Sequence, residues 1–314
     1  MIEVYTGATG TVNLITYKDG VPVAPDSSPS ISISNATTGT VLNTGTPTLV
    51  DTDYEGEYYY NLPSNLTDVD TTLKIDWSYS IDGRSVEETE YLYVTTPYAT
   101  IDEIAFELGH SSRPEDPNYY SYDKIKSAER AARMMIDSYL GFSLGKFNTS
   151  SVSYGEGADV LILTDKILSI SKIYENDQLI YDPANNFNIS GFDMEITETG
   201  YGIRIVPANP GDDISEKEYF DYTGLTKGRF RDGYRYSVEG TYGWNYIPPE
   251  IKQSMFLLVN DLLCNDTLWR TKYVKKINSG QMSVELSSLS FSGTGNAIVD
   301  SLLQKFKMVQ AVII

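Results

Sequence analysis

Side chains that ordinarily carry out chemistry are scarce and scattered in this sequence. There is one histidine, His110, and one cysteine, Cys264. His110 follows Gly109 and precedes Ser111-Ser112, but a serine nucleophile needs a base that a third group holds in place, and no such set is spelled out here. Cys264 has no second cysteine for an internal disulfide and no neighbours at zinc spacing, so it reads as a small buried apolar residue. Asp51, Asp53, Glu55 and Glu57 place carboxylates at alternate positions, with the charge density of a calcium loop. The twelfth-position Glu of the EF-hand pattern is missing, so no metal is expected.

Other chemical signatures fail in the same way. No Gly-rich phosphate loop ending in Gly-Lys-Ser/Thr is present, and Gly293-Thr294-Gly295 lacks the strand, third glycine and downstream acid of a dinucleotide site. A glycosidase needs two carboxylates across a cleft, and an acidic chain supplies many pairs without meaning. The expectation is a protein that is not an enzyme and takes no cofactor. With 43 acidic against 24 basic side chains, the net charge of −19 disfavours sequence-specific binding to nucleic acid, whose phosphates attract clustered Lys and Arg. No window reaches the ~18 apolar residues of a spanning helix, and the N-terminus has no leader pattern. A soluble product of a reducing cytosol, without membrane contact, is expected.

The elements that would have to position any site fall into two compositional units. Residues 1–98 hold three basic and fourteen acidic side chains, a balance of −11, whereas the chain from Pro249 onward is close to neutral. The first unit alternates apolar and polar residues in short runs, Thr11–Tyr17, Ser30–Ser34, Glu57–Leu62, Leu73–Tyr79 and Glu90–Val94. Between them lie turn signals such as Asp19-Gly20 and Asp82-Gly83, the pattern of a β-sandwich with Trp77 in its core.

From residue 99 the period changes. Thr100-Ile-Asp-Glu103 has the form of a capping box and starts a short helix over 101–108. Ser121 caps a longer one over 122–140, with Ile125, Ala128, Ala132, Met135, Ile136 and Tyr139 on one face, Lys124, Lys126, Glu129 and Arg133 on the other, and Gly141 at its end. Residues 150–244 return to strand character and read as a β insertion between helices. Its loop Thr223–Gly233, with Lys227, Arg229 and Arg231, reads as a solvated turn. Pro248-Pro249 starts a helix over 249–266 with the stripe Ile251, Met255, Leu258, Val259, Leu262 and Leu263. Lys275 to Phe291 reads as an extended arm or hairpin, 297–308 as a last helix, and 309–314 as an apolar tail. The fold class is therefore multidomain α+β: a sandwich over 1–98, then, over 99–314, a small helical bundle with a β insertion and an extended C-terminal arm.

This order resembles the head-tail connector, or adaptor, proteins of tailed bacteriophages. The resemblance rests on Tyr98–Leu108, on the helix Ile125–Leu140, and above all on the run Gly240-Thr-Tyr-Gly-Trp-Asn-Tyr-Ile-Pro-Pro-Glu-Ile-Lys-Gln253, a strand whose Gly-Trp turn leads into a proline-started helix. The N-terminal unit resembles the immunoglobulin-like domains appended to phage structural proteins. The family implies a ring, commonly dodecameric, in the virion neck. It would be assembled in the host cytoplasm, bind the portal protein on one side and tail or neck proteins on the other, and continue the channel through which genomic DNA passes without sequence-specific binding.

A ring needs two unlike surfaces on each subunit. The candidates are the tail, with Met308, Val309, Val312, Ile313 and Ile314, and the arm, with Lys275, Lys276, Met282, Leu286 and Phe291. An acidic wall would repel passing DNA, a use for the net charge alongside simple solubility. The alternative reading is another phage structural or receptor-binding protein, a tail or baseplate component whose sandwich and tyrosines hold a carbohydrate.

Overall fold

The computed structural model describes residues 2–50, 56–109, 120–188, 192–207, 229–263, 276–279, 282–285 and 293–307. Packing divides the chain into two compact units, Met1–Thr96 with Gly145–Asn245, and Pro97–Leu144 with Tyr246–Ile314. The sequence suggests a linear division at 98/99, whereas packing groups the β insertion with the N-terminal strands.

The N-terminal strands are β1 (Ile2–Tyr5), β2 (Thr11–Ile15), β3 (Tyr17–Lys18), β4 (Val21–Pro22), β5 (Ser30–Asn35), β6 (Val41–Gly45), β7 (Thr48–Leu49), β8 (Glu57–Asn61), β9 (Thr71–Ile81) and β10 (Arg84–Thr95). They form a five-stranded sheet, β1-β10-β9-β5-β6, facing a three-stranded sheet, β2-β8-β7, with a separate β3–β4 hairpin. All pairs in the two sheets are antiparallel except β1 with β10. The two-residue period does the sorting: Leu73, Ile75, Trp77 and Tyr79 of β9 point inward and meet Val12, Leu14 and Tyr58 from the other sheet. Trp77 is buried as expected, and its indole N–H donates to Glu90 Oε1 at 2.9 Å. Asp82 and Gly83, both at positive φ, make the tight turn of the β9–β10 hairpin. Strands β1, β4, β6 and β7 fall outside the runs the sequence displays: β4 and β7 have two residues each and β1 four, and β6, Val41-Leu-Asn-Thr-Gly45, lacks a two-residue period.

The insertion contains β11 (Phe147–Tyr154), β12 (Val160–Ile162), β13 (Ile167–Glu175), β14 (Gln178–Asp182), β15 (Phe187–Asn188), β16 (Phe192–Ile196), β17 (Gly202–Pro207) and β18 (Arg235–Tyr242). It starts at Phe147, three residues before the expected 150. Its sheets, β11-β18-β13-β14-β15 and β12-β17-β16, share one apolar core that includes Ile173, Ile203, Phe230, Tyr236 and Val238. The first and last strands pair along their whole length, from Phe147 opposite Tyr242 to Tyr154 opposite Arg235. The excursion therefore closes on itself. At its mouth Gly243 has φ 109°, and a Cβ there would lie 2.1 Å from the carbonyl oxygen of Gly145, so only glycine permits the two chain segments to pass.

Asp70 ties the insertion to the sandwich. Its N–H donates to the Lys146 carbonyl at 2.5 Å, and its carboxylate accepts from Thr96 Oγ1 at 2.7 Å.

The second unit is helical: α1 (Ile101–Glu107), α2 (Tyr122–Leu140), α3 (Pro249–Leu263) and α4 (Ala297–Leu303), with a hairpin of β19 (Lys276–Ser279) and β20 (Met282–Glu285) between α3 and α4. The capping box of α1 has both its bonds, Glu103 N–H to Thr100 Oγ1 and Thr100 N–H to Glu103 Oε2. Ser121 caps α2, and Gly141 ends it in the left-handed conformation. Three sequence expectations need correction. Glu129 and Arg133, assigned to the polar face of α2, are buried, because they pair with each other one turn apart and Glu129 Oε1 also accepts the Tyr98 N–H at 3.3 Å. Leu262, assigned to the buried stripe of α3, is 43% exposed. The last α-helix stops at Leu303 and tightens into a 3₁₀ turn over Gln304–Phe306 instead of running to Met308. The expected end of α3 beyond Leu263 lies outside the described residues.

Tyr98 is the polar hub of this unit. It is 1% exposed; its hydroxyl donates to the Asp137 carboxylate and accepts the Leu144 N–H at 2.9 Å, closing the turn that ends α2. Burial, then the neighbouring Asp137 charge, pushes the phenol far above its ordinary range, so it stays protonated and a donor. Tyr98→Phe leaves the buried Leu144 N–H and Asp137 without this partner and should cost about 1–3 kcal/mol, read as a lower urea midpoint. An unchanged midpoint would remove Tyr98 from this role.

Candidate assembly interface

Helix α4 and the turn after it deliver the chain to its last residues, and they are held from several sides within the helical unit. Asn296 caps α4, its Oδ1 accepting from Ile298 N–H at 3.1 Å and Val299 N–H at 3.4 Å, while its Nδ2 donates to Asp261 Oδ2 of α3 at 3.0 Å. Asp300 Oδ1 accepts from both the N–H and the hydroxyl of Thr294, at 2.9 and 2.6 Å. Gly293 is at φ 70°, and a Cβ on it would lie 2.3 Å from the Asp300 carboxylate. From α2, the Tyr139 hydroxyl donates to the Asp300 carbonyl at 3.2 Å, and Lys307 Nζ lies 4.9 Å from the Tyr139 ring centre. The Gly-Thr-Gly run that fails as a nucleotide loop is thus a helix-entry turn.

Two ion pairs complete the frame. Lys252 of α3 reaches Glu103 of α1 at 2.8 Å, and Lys305 meets Glu250. The Lys252 ammonium, then the Thr100 N–H, holds the Glu103 carboxyl below its usual range. Lys305 does the same for Glu250, followed by a backbone N–H bond. The unit also presents large apolar side chains outward: Phe106 is 87% exposed, and Met134, Tyr246 and Ile298 exceed 60%. Between α2 and α4 lies an open cleft of about 680 Å³, lined by Ser138, Tyr139, Asp300 and Lys307 among others. Among the described residues no group of three or more His, Cys, Asp or Glu is placed to hold a metal ion, and no helix is long and apolar enough to cross a membrane. The cleft's one carboxylate, Asp300, is engaged by Thr294.

The sequence-predicted site residues fall as follows. Met308, Val309, Val312, Ile313, Ile314, Lys275, Leu286 and Phe291 lie outside the described residues, as do His110, Cys264, Asp51, Asp53, Glu55 and Lys227. Lys276 and Met282 are on the β19–β20 hairpin, at the register positions opposite Glu285 and Ser279. The described part of the arm is the hairpin of these two strands. In the insertion's basic loop, Arg231 NH1 donates to the Tyr234 hydroxyl at 3.3 Å and its guanidinium lies over that ring, so this arginine packs on its own loop. Sequence reasoning missed Asn296, Asp261 and Tyr98. Asn296 alone left a signal, a capping residue just before an apolar run.

No family model matches the chain, and no curated protein matches it. Among solved structures, the N-terminal domain of phage TP901-1 ORF48 is similar over 31% of this chain and 85% of its own, at 12% identity and a TM-score of 0.22. The immunoglobulin-like domain of mouse leukocyte-associated immunoglobulin-like receptor 1, a strand-swapped dimer, is similar over 30% of this chain and 85% of its own, at 16% identity and a TM-score of 0.19. Likeness at this level carries no argument about function.

Because Glu103 and Glu250 have lowered pKa values in the folded chain, the folded state binds fewer protons than the unfolded one. Their stabilising effect is complete above the ordinary carboxylate pKa and disappears as pH falls through the lowered folded values. The Glu103→Gln, Glu250→Gln double variant should therefore give a flatter acid limb in a plot of urea midpoint against pH. A limb as steep as that of the parent chain would show that these pairs do not couple to folding.

Proposed function

We propose that this chain is a structural protein of a tailed-phage virion, a head-tail connector carrying an added immunoglobulin-like domain, and that it acts without catalysis. The observation that carries the reading is the order of elements. A capped short helix, a long amphipathic helix and a self-closing β excursion come first; the last strand of the excursion turns through Gly243-Trp244 into the proline-started α3, and a hairpin and terminal helix follow. This is the arrangement the connector resemblance calls for. The sandwich, with its five- and three-stranded sheets and one parallel pair between first and last strands, supports reading residues 1–98 as immunoglobulin-like.

In this reading copies of the chain form a ring, commonly of twelve subunits in the family, between portal and tail, and DNA passes through its centre. The hairpin and the apolar tail are the segments offered to neighbours. Burying about five of the apolar side chains of the tail 309–314 would contribute roughly 8–15 kcal/mol, against ~6–12 kcal/mol for fixing its six backbone residues. The surplus for one subunit is small, and a ring repeats it at every position.

Negative-stain images of the full chain mixed with the portal protein should contain rings with a central hole seated on the portal. A virion in which the subunit lies away from the junction of shell and tail would overturn the reading. Deleting residues 309–314 should abolish capture by the portal while leaving the urea midpoint of the chain unchanged; undiminished capture would remove the tail from the interface.

A further inference from the structure

The open cleft between α2 and α4 lies within the helical unit, and the apolar tail is attached at its lip. Lys307 lines the cleft, and after Met308 the sequence continues as Val309-Gln-Ala-Val-Ile-Ile314, which lies outside the described residues. Ala297, Ser301 and Gln304 line the cleft at steps of four and three, so one face of α4 makes a wall about 10 Å long. Ser138 of α2 and Gly293 also line it, and the small size of these residues leaves room for a backbone to come close.

The charges of the cleft are already engaged. Its lining holds one acid and one base. Asp300 accepts from the N–H and the hydroxyl of Thr294, and the Lys307 ammonium lies 4.9 Å from the Tyr139 ring centre. Hydroxyl and amide groups remain, on Ser138, Ser301 and Gln304, and these suit the peptide groups of an extended chain better than an ion. Large apolar side chains stand beside the lining: Met134, one turn before Ser138 on α2, is 63% exposed, and Ile298, one turn before Ser301 on α4, is 64% exposed.

We infer that this cleft is the seat of the chain's own segment 309–314, laid back along α4 in extended form. Charge, shape and tether all select this occupant. The segment has no charged residue, as a cleft with one engaged acid and one engaged base requires. Four of its six residues, Val309, Val312, Ile313 and Ile314, are β-branched, the type that favours an extended backbone over a further helical turn. Six extended residues reach about 20 Å, twice the wall they would follow. Attachment at the lip also keeps the segment at an effective concentration in the millimolar range, an advantage that no free ligand shares. A seat of six residues empties in urea well before the unit unfolds, so the global midpoint does not report it. The seat does not depend on the connector reading. Its consequence rests on that reading, in which the tail is offered to neighbours: a partner must then displace it from its own chain.

The test uses the full chain with Cys264→Ser, Ser301→Cys in the cleft wall, and one further cysteine at Gln310, Ala311 or Ile314 in turn. The protein is kept dilute, so that disulfides close within one chain. Mild oxidation should close the bond for at least one of the three, read by mass spectrometry of the digested chain. Adding Val312→Ser with Ile313→Ser, which removes apolar contact without altering charge or any helix residue, should slow closure by about tenfold or more. Ala297→Trp, which fills the cleft, should do the same. Should Ala297→Trp disturb the fold, seen as a lower urea midpoint, the serine pair decides. Closure at none of the three positions, or closure as fast with the serine pair as without it, would overturn the inference, since a tail that is merely tethered nearby would be indifferent to that change. Rings on the portal without the cross-link would sink this inference alone, whereas the cross-link without rings would support it and count against the connector.

Discussion

Helix α2 cannot be stable by itself, and the organisation of the second unit follows from what covers it. Ile125, Ala128, Ala132, Ile136 and Leu140 form a stripe that is buried throughout. In water such a helix gains most of its stability from the surface that covers this stripe. The main cover is α3, whose own Ile251, Met255, Leu258 and Val259 are buried completely, and α3 begins more than a hundred residues after α2 ends. Everything between them has to leave and come back to nearly the same point. That requirement accounts for the pairing of β11 with β18 and for the glycines at the mouth of the excursion.

Buried polar groups then fix which of many similar packings is adopted. Glu129 and Arg133 sit inside the apolar face of α2 and hold each other, with Glu129 also accepting the Tyr98 N–H. Such a pair adds little net stability relative to apolar residues of the same size, but an alternative packing that separated its members would be expensive. Tyr98, Asn296 and Asp300 act in the same manner, each requiring two or more partners from different stretches of chain. In the sandwich, Trp77 and Tyr79 fill the core while their polar atoms reach Glu90 and Glu88 on the neighbouring strand.

What the sequence made legible is local. The capping box at Thr100, the Ser121 cap and Gly141 stop of α2, the proline start of α3 and the tight turn at Asp82-Gly83 each involve residues within a few positions of one another. Periodicity located the longer strands for the same reason. What escaped was non-local: the burial of Glu129 and Arg133 depends on Tyr98 and on each other, and the grouping of the insertion with the sandwich depends on Asp70 meeting Lys146. Of the candidate interface, the hairpin was legible as alternation. The ties around α4 were not, because Asn296 and Asp261 are joined only by the folded chain.

The closed mouth of the β excursion also makes it a modular segment. Since Phe147 and Tyr242 are neighbours, strands can be added or removed between them without changing the separation of the two chain ends that enter and leave it.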